Sequence, residues 1–175
     1  MISWRCVPFA ELTPRELHDI LQARAAVFVV EQACAFQDVD GADLDSWHLM
    51  GLGMGPGPLP RSGARGDDQA LVAYARLIPP GIKFAEASIG RVVTLPPIRG
   101  SGMGRELMRE ALKHAERLWP GKAVRIGAQA RLAKFYEDFG FVTASAPYDE
   151  DGILHLEMLR PASVIPDKAG QPVGQ

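Results

Sequence analysis

Read for its apolar and polar positions, the chain alternates between the two periods that mark strands and helices. Ile2, Trp4 and Cys6 alternate with Ser3, Arg5 and Val7, predicting a half-buried strand stopped by Pro8. Thr13, Pro14 and Glu16 then read as N-cap, first helical residue and capping-box partner. After them Leu17, Ile20, Leu21, Arg24, Val27 and Phe28 fall on one helical face. Arg24 within that stripe has two readings. The favoured one is a stem that covers apolar surface while the guanidinium reaches water, and the other is a buried ion pair. Beyond Glu31-Gln32 the pattern breaks into Asp38, Asp40, Gly41, Asp43 and Asp45, read as a solvated loop with Asx-turns. A calcium loop is the lesser reading, because its spacing fails and its twelfth position is Leu49 rather than Glu.

Trp47 to Met54, Ala70 to Ile78 and Ser88 to Leu95 are predicted strands. Between the first two lies a Gly/Pro-rich insert over 55–69 without periodicity, read as a long flexible hairpin connection. Pro96-Pro97 stops the third strand, and a glycine-rich turn, Arg99 to Gly104, follows it. Met103, Leu107, Ala111, Ala115 and Leu118 then make a helical stripe ended by Pro120-Gly121. Ala123 to Ala128 is a further strand. Leu132, Phe135, Tyr136 and Phe139 keep helical spacing, with Gly140 at the C′ position. Phe141 to Pro147 and Ile153 to Arg160 are predicted strands around an Asp151-Gly152 turn. The expectation is one α/β (α+β) domain over 1–160, with helices on the faces of a sheet and a flexible tail over 161–175.

Composition changes this picture little, but it removes partners. A chain of 175 residues with 47% apolar and 23% charged residues is an ordinary soluble domain. A formal charge of -2 gives no footprint for nucleic acid or an anionic membrane. Cys6 and Cys34 are too few and too far apart for a disulfide framework or a Cys-rich zinc site, and no metal is expected. No signal peptide or spanning segment is visible, so a cytoplasmic location is expected.

The chemistry concentrates between Ser88 and Arg109, where strand, glycine turn and helix follow one another. The first N–H groups of a helix are unpaired and favour anions, so the arrangement suits a phosphate-bearing ligand. A P-loop would need a Lys and a hydroxyl that Gly100 to Arg105 lack. A dinucleotide fingerprint would place its third glycine at Arg105 and its acidic partner near Gln129, which leaves a nicotinamide-dependent oxidoreductase a poor fit. Arg99, Gly102 and Gly104 instead satisfy the pattern Arg/Gln-x-x-Gly-x-Gly/Ala.

With Phe135-Tyr136-x-x-Phe139-Gly140-Phe141 downstream, that pattern resembles the two signature motifs of the GNAT superfamily of acyl-CoA-dependent N-acetyltransferases. Arg24-x-x-Val27-Phe28-Val29-Val30-Glu31-Gln32-x-Cys34-x-Phe36-Gln37-Asp38-x-Asp40-Gly41 is similar to the ElaA family within it. So are Ile89-Gly90-Arg91-Val92, Gly127-Ala128-Gln129-Ala130 and Glu150-Asp151-Gly152-Ile153-x-His155. The resemblance implies a mixed, mostly antiparallel sheet with a splayed central strand pair and helices on both faces. It implies acetyl-CoA as co-substrate in the opening, with Val92, Val93 and Thr94 along the pantetheine arm. Arg99, Gly100, Ser101, Gly102, Met103, Gly104 and Arg105 are implied around the pyrophosphate.

Tyr136 matches the tyrosine that many family members use as general acid toward the departing thiolate; the bland reading packs it on the core. A lysine-like acceptor of pKa ~10.4 costs ~4.6 kcal/mol to deprotonate at pH 7, so some base or water chain is needed. Glu31, Glu86, His48 and His155 are the candidates, with Glu31 and His155 also proposed to contact the acceptor. The implied partner is a small-molecule or peptide amine, and a homodimer is left open. The alternative function is a non-catalytic module that binds acyl-CoA for regulation.

Overall fold

The computed structural model describes residues 2–54 and 69–162. Residues 55–68 of the expected insert, and the tail from 163 onward, lie outside the described residues. The elements in order are β1 (Ile2–Pro8), α1 (Pro14–Arg24) continuing as a wider π-wound segment Ala25–Glu31, β2 (Trp47–Met54), β3 (Gln69–Ile78) and β4 (Ala87–Thr94). They are followed by α2 (Met103–Leu118), β5 (Val124–Gln129), α3 (Ala133–Glu137), β6 (Val142–Thr143), β7 (Tyr148–Glu150) and β8 (Ile153–Arg160). Among the described residues no helix is long and apolar enough to cross a membrane.

Local chemistry accounts for the boundaries. The Thr13 hydroxyl accepts from the Glu16 N–H at 3.2 Å while the Glu16 carboxylate accepts from the Thr13 N–H at 2.8 Å, closing the capping box that starts α1. Gly102 adopts φ 87°, open to glycine at little cost, and turns the chain into α2. Asp151 and Gly152, at φ 53° and 79°, make the two-residue turn between β7 and β8.

The strands form one sheet in the order β1-β2-β3-β4-β5-β8-β6, with β7 also on β8. β1 to β4 are antiparallel, β4 and β5 are parallel, and β5 and β8 are antiparallel again. Alternation along β3 separates two cores. Ala73, Ala75 and Leu77 meet Leu107, Met108 and Ala111 of α2, while Tyr74 and, across a register shift at Val72, Leu71 meet Ile20, Ala23 and Val27 of the first helix. Helices therefore cover both faces.

Three sequence expectations need correction. The reach from Phe141 to Pro147 is not one strand: only Val142–Thr143 and Tyr148–Glu150 pair with β8. Between them the Ser145 hydroxyl, rather than a backbone carbonyl, accepts from the Glu157 N–H, and Pro147 has no N–H to offer a ladder. Arg24 does not reach water; it is 0% exposed. Its Nε donates to Asp38 and its Nη1 to Asp43, at 2.9 and 2.7 Å. The acidic stretch is correspondingly solvated only in part, with Asp45 exposed. Asp38 and Asp43 are buried, and only the Asx-turn from Asp40 to the Ala42 N–H appears as expected.

Candidate functional site

The site begins with a failure of pairing. β4 and β5 pair at Ala87–Val124 and Ser88–Arg125 only, and beyond Ser88 the two strands diverge. Among the described residues, the β4 edge that faces β5 has no partner strand from Ile89 onward, so its backbone groups are available to an extended ligand with amides of its own. On its other edge β4 carries a bulge. Arg91 and Val92 lie between the pairs Arg76–Gly90 and Tyr74–Val93, so two residues oppose Ala75 alone. Arg91 takes φ 51° there, an uncommon conformation for a non-glycine residue.

What holds that bulge is ionic. Arg24, Arg76 and Arg91 interleave with Asp38, Asp40 and Asp43 in a cluster with contacts of 2.6 to 3.2 Å. The Arg91 Nη2 also donates to the Asp38 carbonyl at 3.0 Å. For Asp43, burial raises the pKa, but hydrogen bonds from Arg24 and Arg76 outweigh it and hold the carboxyl below its ordinary 3.8. The cluster fastens the loop after the first helix to the sheet, and that loop contributes Cys34, Phe36 and Gln37 to the cleft wall.

The cleft is a cavity of about 660 Å³. Seven of the expected residues meet in it: Val92, Val93 and Thr94 on one wall, Arg99 at the end of that wall, Glu31 from the first helix, Tyr136 from α3 and His155 from β8. Gly100 to Arg105 do not line it; they form the turn just beyond Arg99 and the first turn of α2. No side chain caps that helix, so its first N–H groups stay open to an anion. An added Cβ at Gly102 would meet nothing within 4 Å, and one at Gly104 only the Phe135 ring at 3.9 Å. The space beside this turn is thus free of protein. Met103 is buried in the core, the Ser101 hydroxyl donates to the Ile98 carbonyl at 2.6 Å, and Arg105 pairs with Asp138 at 2.6 Å.

Tyr136 is buried, with ring edges against Phe135 and Phe141, and among the described residues its hydroxyl has no hydrogen-bond partner. Burial pushes its pKa up to about 12, so the phenol keeps its proton at neutral pH. The four candidate bases separate by geometry. Glu86 lies outside the cavity, and a hydrogen bond from Arg125 lowers its pKa. His48 is 0% exposed and away from the cavity, its nitrogens engaged by the Tyr74 hydroxyl and the Asp43 carbonyl at 2.8 and 3.0 Å. Glu31 gives both carboxylate oxygens to Arg99, at 2.7 and 2.9 Å. His155 lines the cavity, and its Nδ1 lies 2.8 Å from the Ile153 carbonyl. A carbonyl only accepts, so Nδ1 carries the proton and the neutral ring keeps its lone pair on Nε2.

Sequence reasoning missed Gln32, whose side chain meets Gln129 across the cleft at 3.3 Å, and Lys83, which lines the wall near Gly127. It also missed the part played by Arg91. A cation inside an otherwise apolar strand was the available signal.

Against known proteins, residues 64–160 match the acetyltransferase (GNAT) domain family. Protein ElaA of Escherichia coli K12 is 40% identical over 162 residues, covering 91% of this chain and 97% of ElaA. The crystal structure of E. coli ElaA superposes with a TM-score of 0.77, at 40% identity, over 91% of this chain and 99% of that one. An acyl-CoA N-acyltransferase from Pseudomonas aeruginosa superposes with a TM-score of 0.79, at 42% identity, over 91% and 99% of the two chains.

Proposed function

Since this chain belongs to the GNAT acyltransferase family, and within it to the ElaA group, we propose that it transfers an acetyl group from acetyl-CoA directly to an amine, with Tyr136 as general acid. One observation carries the reading. The unpaired edge of β4, Arg99 and a protonated phenol line one cavity, and an uncapped helix start follows closely on Arg99.

Each part has a physical task. An extended pantetheine arm adds to β4 as a further strand would, its amides meeting backbone groups near Val92 and Val93. The Thr94 carbonyl accepts from the Arg99 Nε at 2.9 Å, which ties that guanidinium to the end of β4. The diphosphate meets the positive end of α2, where Gly100, Ser101, Gly102, Met103 and Gly104 offer backbone N–H groups, while Arg99 and Arg105 supply charge.

When the amine attacks the thioester carbonyl, the C–S bond breaks and the sulfur leaves as a thiolate. Tyr136 donates its proton to that sulfur. A thiolate whose free thiol has a pKa of about 8.5 is a weaker base than this phenolate, but the same desolvation that raises Tyr136 also raises a thiol beside it, narrowing the gap. In the same cavity His155 Nε2 takes the proton that the amine loses, directly or through water.

The test is acceptor-dependent thiol release from acetyl-CoA over polyamines, amino acids, aminoglycosides and peptides. An acetylated product detected by mass spectrometry supports transfer. Tight acetyl-CoA binding with no product from any acceptor would instead favour a regulatory acyl-CoA-binding module.

A further inference from the structure

The first helix ends in an unusual way. Its last segment is π-wound, with the Gln32 N–H reaching the Val27 carbonyl at 3.1 Å and the Cys34 N–H reaching the Val29 carbonyl at 3.2 Å. Such winding is rare and recurs at functional positions. Here it sends two consecutive side chains over the same cleft. Glu31 reaches Arg99 beside β4, and Gln32 reaches Gln129 on β5. All four residues line the cavity, so the pair 31–32 bridges the opening between the diverging strands.

We propose that Glu31 is a positioning residue that holds Arg99 between turnovers and competes with the CoA diphosphate for it. Competition of this kind loosens product binding. The inference rests on the acyl-CoA reading above. A guanidinium has five N–H donors. In Arg99 the Nε is committed to the Thr94 carbonyl, and Nη1 and Nη2 form a fork on the Glu31 carboxylate. A diphosphate arriving at the start of α2 finds the bidentate face of Arg99 taken and a like charge beside it.

The pair can exchange because it is exposed: its side chains are 37% and 45% accessible, and such pairs hold weakly. Glu31 therefore yields to the diphosphate and returns to Arg99 as CoA departs. The neutral Gln32–Gln129 bridge is untouched by this exchange and keeps the segment in place.

Calorimetric titration with CoA and with S-acetylpantetheine, which lacks the diphosphate, tests the proposal. Glu31→Gln, nearly isosteric, should bind CoA about three- to fivefold tighter, the range an exposed pair can shift. Its affinity for S-acetylpantetheine should match wild type, and its KM for acetyl-CoA should fall with no rise in kcat. In an Arg99→Gln background, the gain from Glu31→Gln should drop below twofold. CoA binding by Glu31→Gln that is no tighter than wild type overturns the proposal, as does an equal gain without Arg99. A wild-type protein that binds no CoA at all removes the acyl-CoA reading and this inference with it, whereas a failure confined to the variants removes only the inference.

Discussion

Two sets of guanidinium–carboxylate contacts border the same cleft. One joins Arg24, Arg76 and Arg91 to Asp38, Asp40 and Asp43, and reaches the cavity only through Arg91. The other joins Arg99 to Glu31 in the cavity wall. The bond lengths are alike, between 2.6 and 3.2 Å in the first and 2.7 and 2.9 Å in the second. Their surroundings are not. Arg24 is 0% exposed and Asp43 5%, so removing one partner strands a charge where water cannot compensate it. Around Arg99 and Glu31 water stands ready to replace either partner. Identical chemistry thus makes a permanent fastening in one place and an exchangeable contact in the other.

Substitutions can break this contrast or sharpen it. The largest effect is expected from Asp43→Ala, which leaves Arg24 and Arg76 short of a shared acceptor; urea unfolding should show a loss of about 3–5 kcal/mol. A loss below 1 kcal/mol would mean that the buried cluster is as dispensable as the exposed pair. Next is Tyr136→Phe, which removes a hydroxyl without a protein partner: turnover should fall about 100-fold while urea stability stays within about 1 kcal/mol of wild type. Full turnover would withdraw the general-acid assignment.

A third effect follows pH. Burial holds the His48 pKa below its ordinary 6.5, so the unfolded chain takes up a proton there before the folded chain does. Stability should be fully present above pH 6.5 and decline as the pH falls below it, with a further decline below 3.8 as Asp40 and Asp43 lose their charge. Urea midpoints for wild type and His48→Asn across that range check the upper step, which should shrink in the variant to the part left by His114, whose pKa burial also lowers. The smallest effect is on the exposed pair: Glu31→Gln should change urea stability by less than about 1 kcal/mol and should lose even that in high salt.

How far the residues alone led can be judged from Thr13 and Arg24, eleven positions apart in one helix. The capping box at Thr13 was legible because every partner lies within three residues. Arg24 was misread because its partners, Asp38 and Asp43, lie 14 and 19 residues away and were themselves taken for solvated groups. The site divides in the same way. The glycine turn and the Tyr136 motif are contiguous patterns, each read directly. The bulge at Arg91, the Gln32–Gln129 bridge and the commitment of Glu31 to Arg99 are contacts between segments 51, 97 and 68 residues apart. No local period encodes them.

By itself the sequence determined the order of the elements as far as α3, the starts of α1 and α2, the turn at Asp151-Gly152 and the membership of the two motifs, because periodicity, caps and turns act over a few residues. Only the tertiary structure decided where β4 and β5 stop pairing, which charges lose their water, and that two of the four candidate bases, Glu31 and His155, share a cavity with Tyr136. Those outcomes depend on how distant segments divide solvent and space between them, and burial is what turned the same pair of side chains into a fixed anchor at Arg24 and a releasable one at Arg99.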